Sequence, residues 1–115
     1  MPVALYMDQH VKKEITTQLR LRGVDVVTAF EDNSHRLPDD KLLDRVLALA
    51  RVLFSQDIRL KALAENWQRQ GRPFGGVAYG HQLGASIGKY ISDLELIAKA
   101  TDPADWLNHI EHLPF

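Results

Sequence analysis

Four short apolar runs, separated by longer amphipathic stretches, constrain the fold of this chain more than any other feature. The runs span residues 3–7, 24–28, 52–54 and 76–80, and each has a length typical of a buried strand. Between them, apolar side chains recur every three or four residues, which is the period of a helix with one buried face. The sequence therefore predicts an α/β domain of three layers, with a mostly parallel sheet of about four strands and helices on both faces.

Glycine and proline residues indicate where the predicted helices end and begin. Gly23 and Gly71 are predicted to end the first and third helices, and Pro38 to lie in the first turn of the second. The side chains that these stripes are predicted to bury in the second, fourth and last helices are Leu42, Leu43, Val46, Leu47 and Ala50, then Leu83, Ile87, Ile91, Leu94 and Ala98, and finally Trp106 and Ile110. The last helix is expected to begin at Asp102 and Pro103 and to run through Ile110.

Length and charge narrow the class of protein. With 115 residues, the chain is expected to form a single domain over 1–115. Its 14 basic and 15 acidic side chains lack the excess positive charge of a general nucleic-acid binder, so any contact with a nucleic acid must come from a local patch. No cysteine is present, which excludes disulfides and thiolate chemistry and fits a reducing cytoplasm. We expect a cytoplasmic protein without a signal peptide or a membrane span.

Three aspartates occupy positions where parallel α/β sheets bind ligands. Asp8 and Asp57 follow the first and third apolar runs, and Asp39 begins the second helix. Because the carboxyl ends of parallel strands share one edge, these carboxylates are expected to converge. Converging carboxylates repel one another unless a cation neutralises them, and hard oxygen ligands favour Mg²⁺ or Mn²⁺. The alternative is structural, since aspartate commonly ends strands and begins helices.

Four further residues are candidates for auxiliary roles at the same edge. His81 and Gln82 follow the fourth run and can contact a phosphate or orient a water molecule, although a loop histidine can equally cap the next helix. His10 comes soon after Asp8, where an anion can bind. Ser55 is placed to hydrogen-bond Asp57.

Three segments carry a resemblance to a known family. They are LYMDQH at 5–10, LPDDKLL at 37–43 and RVLFSQD at 51–57. They resemble a bacterial PIN-like family of unknown function, in which an opening strand ends in Asp-Glu-Asn or similar. An Asp then begins a helix, and eighteen residues later a strand ends in Thr-x-Asp. The resemblance covers most of the chain, and GGVAY at 75–79 before a long helix also fits it.

The resemblance implies a fold, an activity and a set of ligands. PIN domains have a compact Rossmann-like sheet, and the active ones, including VapC-type toxins, are ribonucleases that depend on Mg²⁺ or Mn²⁺. Carried over by position, Asp8, Asp39 and Asp57 become the metal ligands and catalytic residues. RNA is then the expected substrate, a small antitoxin-like protein the expected partner, and a homodimer the expected assembly.

Two departures from the family pattern support an alternative. Ile58 stands where the family usually has a second aspartate. Full PIN nucleases also have a further acidic residue on an intervening helix, for which this chain offers only Glu31 or Asp32 as a substitute. The alternative is a degenerate, non-catalytic PIN-like module for protein interaction. The expectation of a homodimer rests partly on three apolar residues near the C-terminus, which can equally close the core: Trp106, Leu113 and Phe115.

Overall fold

A computed structural model describes residues 2–115 as five strands and five helices, which alternate along the chain except that α4 and α5 are consecutive. The strands are β1 (Leu5–Met7), β2 (Val26–Thr28), β3 (Val52–Ser55), β4 (Val77–Gly80) and β5 (Ile110–Leu113). The helices are α1 (Lys13–Leu21), α2 (Asp39–Ala48), α3 (Ile58–Gln70), α4 (Ile87–Ala100) and α5 (Pro103–Trp106). The predicted α/β class is confirmed.

The strands form one sheet in the order β2-β1-β3-β4-β5, and every neighbouring pair is parallel. In the register of the central pairs, Leu5 lies opposite Val52, and Leu53 lies opposite Val77. The chain builds outward from β1 in one direction to β2 and in the other through β3, β4 and β5. The direction of winding therefore reverses between β1 and β3, which is where such sheets open a ligand-binding crevice.

Alternate side chains of each strand enter two separate cores. Leu5 and Phe54 pack with α1 and α4 on one face, whereas Tyr6 and Leu53 pack with α2 and α3 on the other. All four side chains are fully buried. Strands covered on both faces must be apolar at every position, which explains why they appear in the sequence as continuous runs without alternation. The predicted three-layer arrangement is confirmed.

The C-terminal segment adds a fifth strand, where about four strands were expected. The helix predicted through Ile110 ends at Trp106, and Ile110 begins the edge strand β5. The four-residue spacing between these two residues imitates a helical stripe, while Glu111 and His112 give β5 a polar character that an edge strand tolerates. Trp106 and Leu113 lie in the core, and Phe115 is half-exposed.

Three smaller predictions about helices are also wrong. Leu83 was expected on the buried face of the fourth helix, but it is 90% exposed, because it lies in the turn after β4 and α4 begins only at Ile87. Pro38 is the N-cap of α2 and does not lie within its first turn. Ala50 is exposed at a positive φ of 55°, in the tight connection between α2 and β3. Gly23 and Gly71 do end their helices, each with positive φ.

The carboxyl edge of the sheet gathers the residues of interest from separate elements. Asp8 follows β1, Asp57 caps α3 after β3, and His81 follows β4, while Asp39 opens α2. Over residues 2–115, the helices are all too short or too polar to cross a lipid bilayer.

Candidate functional site

Asp8 is held in place from two sides at the mouth of the crevice. Its Oδ2 accepts a hydrogen bond of 2.7 Å from the hydroxyl of Ser55, and its Oδ1 accepts one of 2.8 Å from the backbone N–H of Gln9. Ser55 is fully buried at the end of β3, so its hydroxyl can reach only its immediate neighbours. The bond from Ser55 therefore fixes the orientation of Asp8 across the strand pair where the winding reverses.

Asp57 is the N-cap of α3 and faces an arginine. Its Oδ1 accepts from the backbone N–H of Arg59 at 2.9 Å, and the guanidinium of Arg59 lies 3.2 Å from Oδ2. Partial burial raises the pKa of the Asp57 carboxyl, but the hydrogen bonds and charge of Arg59 outweigh burial and hold that pKa below its usual range. The Arg59 side chain is 85% exposed, so its ion pair with Asp57 is a surface pair that contributes little to stability.

Ser55 contacts both sides of the crevice, but differently from its predicted role. Its Oγ accepts the backbone N–H of Asp57 at 3.1 Å, while its proton is donated to Asp8. The expected hydrogen bond to the Asp57 side chain is therefore replaced by one to the Asp57 backbone. A single hydroxyl links the two strand ends.

Asp39 carries the clearest electrostatic signature of the three carboxylates. Its pKa is raised, first by partial burial and then by the negative charges of Asp57 and Asp8. Arg59 opposes the shift without cancelling it. The contributions of Asp57 and Asp8 to this shift place the three predicted carboxylates within electrostatic range of one another.

The three aspartates line one cavity of about 130 Å³, which we call the acidic cleft. His10, His35 and Arg59 also line it. Among residues 2–115, no group of three or more Asp, Glu and His side chains is arranged so that it could hold a metal ion as it stands. In this arrangement Asp57 pairs with Arg59, and Asp8 accepts a hydrogen bond from Ser55.

Three of the four auxiliary candidates line a second cavity of about 340 Å³, which we call the outer cleft. His10, His81 and Gln82 line it together with Asp8 and Asp57, so the two clefts share their carboxylates. His10 is exposed, and its Nε2 lies 3.0 Å from the side-chain nitrogen of Gln9. Both histidines and Gln82 are thus at the predicted edge.

Neither acid named as a substitute for the missing family residue lies in the acidic cleft. Glu31 pairs with Arg20 at 2.5 Å and lines a separate groove beside α1. Asp32 accepts hydrogen bonds from the hydroxyls of Tyr6 and Ser34, each at 2.8 Å. Both acids therefore serve the packing of the loop after β2.

Asp32 is also hydrogen-bonded to an arginine of α2. Arg45 donates to both carboxylate oxygens, from Nε at 3.0 Å and from Nη2 at 2.8 Å. These bonds hold the pKa of Asp32 far below its usual range, against the opposing effect of burial. Burial and the neighbouring carboxylate also raise the pKa of Tyr6 to about 12, although Ser34 and Arg45 act against this.

Asp32→Asn is expected to lower the free energy of unfolding by roughly 2–3 kcal/mol at pH 7, because charge-assisted hydrogen bonds are lost. The folded-state pKa of Asp32 lies below the unfolded value, so this stabilisation is complete above about pH 4 and is lost as the pH falls further. Urea unfolding at pH 7 and pH 3 should therefore show a smaller difference between the native protein and the variant at pH 3.

Asp44→Asn provides the matched control for this prediction. Asp44 pairs with Arg72 at 3.2 Å, but both side chains are nearly half exposed, so the change should cost less than about 0.5 kcal/mol. Equal effects of the two substitutions at pH 7 would contradict the assigned role of Asp32.

Two features of the site lie outside the sequence-based predictions. The ion pair between Asp57 and Arg59 has only a weak signal in the sequence, namely a basic residue two positions after an acidic residue that caps a helix. The histidine His35 lines the acidic cleft from the loop before α2, with its Nδ1 buried and without a hydrogen-bond partner among the described residues. Nothing in its sequence context distinguishes it from an ordinary loop histidine.

No protein-family model, no curated protein and no solved structure matches this chain. The functional interpretation therefore depends on the geometry of the two clefts and on the residues that line them.

Proposed function

We propose that this chain is a Mg²⁺- or Mn²⁺-dependent ribonuclease of the PIN-like type, acting in the cytoplasm. The observation that carries the proposal is the convergence of Asp8, Asp39 and Asp57 on one cleft at the reversal point of a parallel sheet. Burial raises the pKa of Asp39, and so do the negative charges of Asp57 and Asp8, a repulsion that a divalent cation would relieve. A small antitoxin-like partner and a homodimer remain part of the proposal through the family resemblance.

The donor set fits a hard divalent cation. All three side chains offer carboxylate oxygens, the ligand type that Mg²⁺ and Mn²⁺ prefer. Such an ion, when bound, polarises a phosphodiester and lowers the pKa of a coordinated water molecule. Asp8, Asp39 and Asp57 would hold it, and Asp57 would have to turn from Arg59 to do so.

The surrounding residues have defined supporting roles in this proposal. Ser55 and the backbone N–H of Gln9 orient the Asp8 carboxylate, as partners of metal ligands commonly do. Arg59, once released from Asp57, can face the phosphate backbone of RNA from its exposed position. The polypeptide thus supplies orientation and positive charge around the acidic cleft.

The test is cleavage of a mixed single-stranded RNA pool in the presence of Mn²⁺, of Mg²⁺ or of EDTA. We expect cleavage with either metal, none with EDTA, and a loss of at least about 100-fold in Asp57→Asn. A folded native protein that cleaves no RNA with either metal would overturn the proposal. Cleavage that persists in EDTA would contradict the metal dependence.

Arg59→Gln is expected to tighten Mn²⁺ binding by up to about fivefold. An exposed ion pair is weak, and removing this competing cation releases Asp57 for the metal. Isothermal titration calorimetry measures the change. Arg69→Gln, the same substitution in the last turn of α3, controls for net charge and should leave the affinity nearly unaltered. Identical affinities in both variants would argue against Asp57 as a ligand.

A specific observation supports the second candidate, a non-catalytic interaction module. Asp57 already has a cationic partner in Arg59, and Ile58 stands in place of a further acid. In that case the native protein would remain folded without a change in melting temperature on addition of Mn²⁺. The Arg59→Gln titration therefore separates the two candidates as well.

A further inference from the structure

The outer cleft contains a histidine side chain whose free nitrogen can be assigned. Nδ1 of His81 accepts the backbone N–H of Leu83 at 3.0 Å. In the neutral imidazole the proton must then be on Nε2, because one ring nitrogen donates and the other accepts. Across residues 2–115, Nε2 has no hydrogen-bond partner, so the ring offers an N–H donor at the cleft.

The backbone of His81 is fixed from the hydrophobic core. The hydroxyl of Tyr90, a residue buried in α4, donates to the carbonyl oxygen of His81. This contact depends on two glycines. A Cβ at Gly80 would lie 2.7 Å from Cε1 of Tyr90, and a Cβ at Gly84 would lie 2.7 Å from its hydroxyl oxygen. The turn after β4 is therefore built around the phenol ring.

Three side chains around this cleft can donate hydrogen bonds to an anion close to the carboxylates. Gln82 adds an amide and Arg59 adds an exposed guanidinium to the Nε2–H of His81. The acids of the cleft are Asp8 and Asp57, which also line the acidic cleft. A phosphate group seated at the donors would thus lie beside the proposed metal ligands.

We infer that the outer cleft is a phosphodiester subsite in which the Nε2–H of His81 donates a hydrogen bond to a non-bridging phosphate oxygen. The inference rests on the proposed ribonuclease function and names how the substrate backbone is held next to the acidic cleft. His81 acts as a hydrogen-bond donor through Nε2, and its position is set before binding by Leu83 and Tyr90. A donor already held in place loses little conformational freedom when the substrate binds.

The experiment compares two dinucleotide probes in EDTA, so that neither metal nor cleavage is involved. One is thymidylyl-thymidine with its natural phosphodiester, and the other carries an uncharged methylphosphonate linkage. Binding is followed by NMR titration of backbone amides. We expect the native protein to bind the phosphodiester about five- to tenfold more tightly, because the charged oxygen strengthens the hydrogen bond from the imidazole.

Two substitutions separate hydrogen bonding from structural support. His81→Leu removes the donor and should abolish the preference for the phosphodiester, whereas His81→Gln keeps an amide N–H and should retain most of that preference. His109→Leu and His109→Gln make the same changes at a residue that precedes β5 and lies outside the outer cleft, and both should behave like the native protein. The amide spectrum of each variant confirms that it folds.

Three results would overturn the inference. They are an absence of preference in the native protein, a full preference in His81→Leu, and an equal loss in the Leu and Gln variants, which indicates a structural role. A protein surface in place of a phosphate subsite would give the first of these. Because the titration contains no metal, a failed RNA cleavage assay with intact phosphodiester preference would reject the ribonuclease and leave the subsite standing.

Discussion

Asp39→Asn is expected to abolish both the stabilisation by Mn²⁺ and the cleavage of RNA. At a free Mn²⁺ concentration of 100 times its dissociation constant, the native protein should gain about 2.7 kcal/mol, or roughly 10 °C in melting temperature. The variant should gain almost nothing, and its cleavage rate should fall at least about 100-fold. Differential scanning fluorimetry and the RNA assay measure the two effects.

The metal-free variant should unfold at nearly the same temperature as the native protein. Removing the Asp39 charge relieves its repulsion with Asp57 and Asp8 but also removes a favourable charge from the first turn of α2. In a partly exposed position each effect is worth at most about 1 kcal/mol, and the two have opposite signs. A lost response to Mn²⁺ is therefore not a consequence of unfolding.

Asp40→Asn is the matched control. Asp40 is the next residue in the same first turn, but it does not line the acidic cleft. Its variant should keep both the Mn²⁺ response and the cleavage rate within about twofold of the native values. If both variants keep the Mn²⁺ response, Asp39 is not a ligand.

The binding of Mn²⁺ should also weaken in mild acid. The raised pKa of Asp39 means that the folded protein takes up a proton there at a higher pH than an ordinary aspartate does. Because a metal ion needs the deprotonated carboxylate, its apparent affinity should begin to fall while the pH is still above the usual aspartate pKa of about 3.9.

Gly76→Ala is expected to be the most destabilising of the substitutions considered, with a loss of roughly 3–5 kcal/mol. Gly76 has a φ of +105°, and a Cβ there would lie 2.5 Å from the carbonyl oxygen of Trp106. The change therefore combines a strained backbone conformation with a collision against α5. Equilibrium denaturation in urea measures the loss.

Gly71→Ala isolates the conformational part of this effect. Gly71 also has a positive φ, +73°, but no atom lies within 4 Å of the position of its Cβ. Its substitution should cost only about 1–2 kcal/mol. Equal losses at the two glycines would show that α5 does not pack against the start of β4 as described.

The order of strands and helices could be predicted because burial on both faces leaves a direct mark on the sequence. Every residue of β1, β3 and β4 is buried, so each appears as an apolar run, which in β3 ends at the buried Ser55. The edge strand β5 lacks this mark, since only Leu113 of its four residues is buried. The spacing of Trp106 and Ile110 then resembles a helix, and only the tertiary position of the segment shows otherwise.

The candidate site could be predicted only in its placement. Parallel topology brings the positions of Asp8, Asp39 and Asp57 to one edge whatever their side chains do. Hydrogen-bond partners depend on rotamers and on contacts between distant segments. The bond between Ser55 and Asp8 joins residues 47 positions apart and has no local signature in the sequence.

The central claim, that one divalent ion is held between the three carboxylates, is tested most directly by paramagnetic broadening of amide resonances with Mn²⁺. Substoichiometric Mn²⁺ should broaden the amides of Asp8, Asp39 and Asp57 first and leave those of β5 sharp. In Asp39→Asn the same concentration should leave all three sharp. Broadening that is absent from the native protein, or that is centred away from the acidic cleft, would contradict the claim.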